Sequence, residues 1–137
     1  MLRRTFAVGI LAVITFTTLT TLPASANKGT IEYKVGDIKK ALANGKTVFV
    51  DYAADWCGTC KSQERTINRL RTENPAYNKS ITFIRVDWDK FQSDEVTTSR
   101  NIPRRSTLIV LKGQNELGRL VAGTSKNDIK TLLDLGL

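Results

Sequence analysis

Thr47–Ala53 reads TVFVDYA, a β-branched and aromatic run that belongs in a buried strand. Two similar runs follow, Ile81–Asp87 (ITFIRVD) and Thr107–Lys112 (TLIVLK). The segments between them have helical spacing. Gly36–Asn44 sets Ile38, Ala41 and Leu42 at i, i+3 and i+4, and Asn44-Gly45-Lys46 ends that helix. Lys61–Thr72 carries Ile67 and Leu70 among charged residues, and Asn74-Pro75 stops it. Ser93–Arg100 is polar and reads as a short helix. Gly113-Gln114-Asn115 makes a turn, after which Glu116–Ala122 returns as an antiparallel partner. Ser125 caps a last helix with Ile129, Leu132 and Leu133 on one face. Asn27–Tyr33 reads as a polar lead-in. Strands separated by helices require crossover connections, so the order α-β-α-β-α-β-β-α predicts an α/β fold. Its central mixed sheet is flanked by helices on both faces, with an antiparallel hairpin at one edge. No repeat or internal linker divides the chain, and 137 residues make one domain.

The first residues are expected to lie outside that domain. Arg3 and Arg4 precede an uncharged, mostly apolar stretch, Phe6–Leu22. Pro23 and then Ala24-Ser25-Ala26 follow, the small-x-small pattern of a signal-peptidase site. Residues 1–26 are therefore read as a cleaved signal peptide and 27–137 as the mature domain. The apolar run is short for a membrane span. Arg3-Arg4-Thr5-Phe6 partly fits a twin-arginine signal, so the export route is open. A leader of this kind points to a bacterial periplasm or extracellular space, where disulfides form and persist. The net charge is +8, of which the leader carries two, leaving +6 on the mature part. That balance favours acidic protein partners or an anionic membrane surface. The basic residues are scattered and no binding motif accompanies them, which argues against nucleic acid.

Cys57 and Cys60 are the only cysteines, and the chain has no histidine. A structural zinc needs about four ligands, so two thiols would have to be shared between molecules. A staple across two intervening residues restricts the unfolded chain very little. Redox chemistry fits the pair better. It follows a buried strand and opens a helix, which puts Cys57 at the helix N-terminus. Unpaired backbone N–H groups and the helix dipole favour a thiolate there. Cys57, expected at the exposed end, is the candidate nucleophile. Cys60, one turn on, is the candidate resolving thiol.

Cys57-Gly58-Thr59-Cys60 behind a strand resembles the motif of the thioredoxin family. Trp56 before it, Lys61 after it and the strand VFVDYAADWC match the family's longer signature. The resemblance runs on through TLIVLKG and Val121-Ala122-Gly123 into the last helix. The spelling Ala54-Asp55-Trp56-Cys57 is especially similar to the C-terminal domain of the membrane reductase DsbD. The resemblance implies a thioredoxin fold and thiol–disulfide exchange with protein substrates, with no cofactor, because electrons cycle through the cysteines. It also implies a monomer recharged by a membrane electron donor of the DsbD kind, or a DsbB-like partner if it oxidises.

Site residues follow from the same match. Asp51 stands mid-strand, where an isolated carboxylate is expensive to bury. In thioredoxins the aspartate at this place lies behind the cysteines and helps move the resolving thiol's proton, a role suited to a raised pKa. Trp56 is expected to cover one side of the site and to contact substrate proteins. Asp55 and Lys61 are expected to be solvated. Arg105, Ser106 and Thr107 form the stretch expected to meet substrate. Thioredoxins place a cis-proline just before the third strand, but this chain has Ser106 there. Either Ser106 takes that place without a gap and with a trans peptide, or Pro103 keeps the role and Arg104-Arg105-Ser106 is inserted. In both registers two arginines lie beside the site and favour acidic partners. The rival from another class is a non-catalytic binding or metal-delivery adaptor of the same fold.

Overall fold

The computed structural model describes residues 29–137, so the leader expected at 1–26 lies outside the described residues. Among these, five strands form one mixed sheet in the order β1-β3-β2-β4-β5. They are β1 (Thr30–Glu32), β2 (Thr47–Ala53), β3 (Ile81–Asp87), β4 (Thr107–Lys112) and β5 (Asn115–Val121). The helices are α1 (Asp37–Ala43), α2 (Gly58–Glu73), α3 (Ala76–Ser80), α4 (Trp88–Phe91), α5 (Glu95–Thr98) and α6 (Lys126–Asp134). β1, β3 and β2 run parallel, β4 is antiparallel to β2, and β5 is antiparallel to β4.

β2 is paired along its length on both sides. Its side chains alternate between two separate cores, as the period of a strand requires. Val48, Val50 and Tyr52 enter one with Ile38, Ile84, Ile109 and Leu111. Phe49 enters the other with Phe83, Leu108 and Val110, under Ile67 and Leu70 of α2 and Ile129, Leu132 and Leu133 of α6. Two places after Phe49, on the same face, stands Asp51. The strand's own period therefore turns this carboxylate toward α2, the helix that carries Cys60.

The three apolar strands have the bounds read from the sequence. β1 lies within the stretch read as a polar lead-in. It has three residues, largely exposed, at an edge beside β3, so no apolar pattern marks it. The stop at Asn74-Pro75 ends α2, but Pro75 then starts α3, which buries Tyr77. Proline suits the first turn of a helix because its missing N–H has no partner there anyway. The polar segment after β3 holds the short α4 and α5. Ser125 caps α6 as expected, its Oγ accepting the Asp128 N–H at 3.3 Å.

Central burial and edge exposure should separate in stability measurements. Leu108→Ala, at a fully buried position of β4, is expected to cost about 2–5 kcal/mol in urea unfolding. Leu117→Ala, on the exposed β5 edge, should change stability by less than about 0.5 kcal/mol.

Candidate active site

β2 ends at Ala53, and the chain turns at once: the Cys57 N–H donates to the Ala54 carbonyl at 3.1 Å. Cys57 is then the N-cap of the 16-residue α2, with extended φ −85° and ψ 111°. At this position an oxygen usually accepts an N–H from the first turn. Here the Cys57 Sγ accepts it, from Cys60 N–H at 3.2 Å. That donor and the helix dipole both favour a sulfur carrying negative charge.

Exposure does not separate the two cysteines, contrary to the expectation that Cys57 sits at an exposed end. Both residues are buried, at 3%. The covering comes from the segment before β4, whose Ser106 hydroxyl lies against both sulfurs. Its Oγ is 3.2 Å from Cys57 Sγ and 3.1 Å from Cys60 Sγ. Position in the helix still distinguishes the thiols, because only Cys57 receives the amide of the first turn.

The Ser106 backbone is fastened on both sides. Its N–H donates to the Tyr52 carbonyl at 2.7 Å, extending the β2–β4 pairing by one residue. Its carbonyl accepts from Ala122 N–H at 2.8 Å and from Gln63 Nε2 at 3.1 Å. Gln63, fully buried on α2, also donates to the Gly123 carbonyl at 2.9 Å. Ser106 itself is held at φ +63°, and no peptide bond among the described residues is cis. Of the two registers, the structure shows the one without a gap: Ser106 meets the cysteines, while Pro103 is exposed.

The neighbouring residues divide into rim and support. Trp56 is 59% exposed, and its indole N–H donates to Asp89 at 3.0 Å. The Arg105 guanidinium lies 4.4 Å above that ring, a cation–π pair at the edge of the site. Arg104 is exposed beside it. Thr107 is fully buried and its hydroxyl donates to the Arg104 carbonyl at 2.7 Å, so its side chain fastens the loop from within. Lys61 is exposed, and Asp55 is exposed in an ion pair with Arg85 at 2.8 Å.

These contacts drive the thiols apart. Burial raises the Cys57 pKa, but hydrogen bonds from Cys60, Ser106, the Cys60 amide and Arg105 outweigh it, lowering the value from 9.0 to about 7. The Cys60 thiol is raised by its burial and by its hydrogen bond to Cys57. One sulfur is thus a thiolate near neutral pH while the other keeps its proton.

Asp51 moves the opposite way from Cys57. Burial pushes it from 3.8 to about 7, against the pull of Arg85 directly across on β3. Its Oδ1 is sealed and has no hydrogen-bond partner. Arg85 also pairs with Glu32 at 3.4 Å, which leaves Asp51 sharing its cation. Asp51, Cys60, Lys61, Glu64 and Arg85 line one cleft of about 350 Å³. Gln63, Arg85 and Asp89 were not singled out from the sequence. Gln63 alone carries a readable signal, lying three residues beyond Cys60 on the same buried helix face as Ile67.

Residues 30–134 match the family profile described as Thioredoxin. The chain belongs to the thioredoxin family. "Thioredoxin-2, mitochondrial" of Schizosaccharomyces pombe is 30% identical over 100 residues, 73% of this chain and 68% of that one. The thioredoxin of Echinococcus granulosus is 31% identical over 99 residues, 72% and 86% of the two chains. Among solved structures, Trxlp from Edwardsiella tarda EIB202 superposes with a TM-score of 0.65 at 29% identity, covering 75% of this chain and 97% of that one. Reduced Schistosoma mansoni thioredoxin pre-protein gives a TM-score of 0.63 at 30% identity, covering 79% and 98%. The expected fold is therefore the observed one, and the protein is a thioredoxin-like disulfide oxidoreductase with the pair Cys57 and Cys60.

Asp51 makes the stability of this thioredoxin-family protein pH-dependent. Between pH 3.8 and about 7 the folded chain holds a proton that the unfolded chain has released. Stability from this group is therefore complete at low pH and is lost as pH rises through 7. Asp51→Asn should be more stable than the wild type at pH 8 by on the order of 2–4 kcal/mol, and the gain should vanish near pH 4 in paired denaturant titrations.

Proposed function

We propose that this thioredoxin-family protein is a periplasmic reductant of protein disulfides. The observation that carries the reading is the Cys57 sulfur at the α2 N-cap, accepting the Cys60 amide at 3.2 Å with Ser106 and Arg105 beside it. The Cys57 thiolate attacks one sulfur of a substrate disulfide, forming a mixed disulfide and releasing the first substrate thiol. Cys60 then loses its proton and attacks Cys57, so the second substrate sulfur leaves with that bond's electrons. The two cysteines end as a disulfide and the substrate gains two electrons. Asp51, poised near 7 in the cleft shared with Cys60, takes the resolving thiol's proton and returns it when the pair is reduced again.

The direction rests on the Ala54-Asp55-Trp56-Cys57 spelling, and the compartment on the leader-like residues 1–26. A membrane electron donor of the DsbD type recharges the pair, and the protein works as a monomer. Exposed Trp56 with Arg104 and Arg105 forms the rim that meets partners, and its charge favours acidic segments around the target disulfide.

Measurement of the reduction potential and of turnover tests this reading. A reductant should lie near about −270 mV, and a value near about −120 mV would mark an oxidant instead. With a dithiol donor the wild type should reduce a protein disulfide, Cys57→Ser should abolish turnover, and Cys60→Ser should accumulate the mixed disulfide. Wild type that fails to turn over, or activity that survives Cys57→Ser, contradicts the reading.

A further inference from the structure

The place before β4 holds a hydroxyl, and the hydroxyl has only sulfur for company. Ser106 is fully buried, and its Oγ lies 3.2 Å from Cys57 Sγ and 3.1 Å from Cys60 Sγ. A hydroxyl has one hydrogen to give and two lone pairs to receive. A thiolate can only accept and a thiol can donate. In the reduced pair Ser106 donates to the Cys57 thiolate, which also draws the Cys60 S–H. Once Cys57 is bonded to substrate it is no longer an anion, and the Cys60 S–H turns to Ser106 Oγ, 3.1 Å away from its sulfur.

The backbone is built around this residue. Ser106 sits at φ +63°, and a proline ring fixes φ near about −65°. The loop in this conformation cannot carry proline. Its N–H is also engaged, donating to the Tyr52 carbonyl at 2.7 Å, and proline has no N–H. A non-glycine residue at positive φ is strained, and such strain persists only where surrounding contacts hold it. Tyr52, Ala122 and Gln63 supply those contacts.

We propose that the Ser106 hydroxyl is a third working group of the dithiol centre, passing a proton between the attacking Cys60 and the sulfur that leaves. In the resting reduced state the Ser106 O–H donates to the Cys57 thiolate. In the mixed disulfide, Cys57 is bonded to the substrate sulfur, and the same O–H is set beside the bond that will break. As Cys60 attacks Cys57, its S–H proton passes to Ser106 Oγ while the Ser106 hydrogen passes to the departing substrate sulfur. The Cys57–substrate bond breaks, the Cys57–Cys60 bond forms, and the substrate leaves as a neutral thiol. The hydroxyl is regenerated and no outside oxidant or reductant is needed. The Cys60 proton has one route at a time: through Ser106, the direct contact to the Cys60 sulfur, when the leaving sulfur needs a proton, and to Asp51 in the shared cleft when that sulfur leaves as a thiolate.

This rests on the redox reading of the pair, and the test separates the two. Ser106→Gly removes the hydroxyl and relaxes the backbone, since glycine tolerates positive φ. Ser106→Ala removes the hydroxyl and keeps the strain. In the reduced proteins, the ultraviolet absorbance of the thiolate should show the Cys57 midpoint rising by about one pH unit in both variants. Single-turnover release from two mixed disulfides at Cys57 tests the relay itself. An alkyl thiol such as 2-mercaptoethanol needs a proton to leave, and its release should slow by about tenfold or more in Ser106→Gly. Thionitrobenzoate leaves as a thiolate, so its release should slow less. Neither measurement uses a protein substrate, so loss of protein-disulfide turnover in the wild type would show separately. A Ser106→Gly variant that titrates like the wild type, or one that slows both leaving groups equally, overturns the proposal. So does an effect confined to Ser106→Ala, which would assign it to backbone strain.

Discussion

Two-sided pairing of β2 is the constraint on which the site depends. With β3 on one side and β4 on the other, the strand's backbone groups are engaged and its direction is fixed. Three placements follow. Its period of two turns Asp51 onto the face covered by α2. Its end at Ala53 delivers Cys57 to the first turn of that helix. Its Tyr52 carbonyl takes the Ser106 N–H and so pulls the loop before β4 across both sulfurs. Carboxylate and dithiol come from one short stretch, the hydroxyl from a distant one, and one strand sets them all.

Burial alone would disable this centre, because it raises thiols and carboxylates alike. The outcome is set by which group finds donors. Cys57 finds an amide, a hydroxyl, a thiol and an arginine, and comes down to about 7. Asp51 has an unpartnered oxygen and a cation shared with Glu32 and Asp55, and goes up to about 7. A thiol and a carboxyl that ordinarily titrate far apart meet near the same pH, one side of the resolving sulfur from the other in chemical role. Groups tuned toward the operating pH are what proton transfer requires. The cost is borne in stability, since charging Asp51 above neutral pH works against the fold.

The fold was legible because its three inner strands are rich in β-branched and aromatic residues and its helix boundaries carry caps and stops. Ser125 and Asn74-Pro75 act locally, so their signals survive in the sequence. β1 did not show, because three largely exposed edge residues make no pattern of their own and depend on β3 for their hydrogen bonds. The cysteines announced a redox pair through spacing and position. Their equal burial did not show, because the covering loop comes from Ser106, forty-nine residues beyond Cys57. Gln63 and Arg85 act through partners distant in sequence, Ser106 and Gly123 for one and Asp51, Asp55 and Glu32 for the other. Such roles exist only once the sheet has assembled.

The central claim is that Cys57, held by the first turn of α2 and its neighbours, is the thiolate at neutral pH while Cys60 stays protonated. The pH dependence of alkylation of the reduced wild-type protein by iodoacetamide, followed by peptide mass mapping, tests it most directly. The account predicts that Cys57 is modified first and that its rate has a midpoint near 7. Modification of Cys60 first, or a Cys57 midpoint at the ordinary thiol value of 9.0, would contradict it.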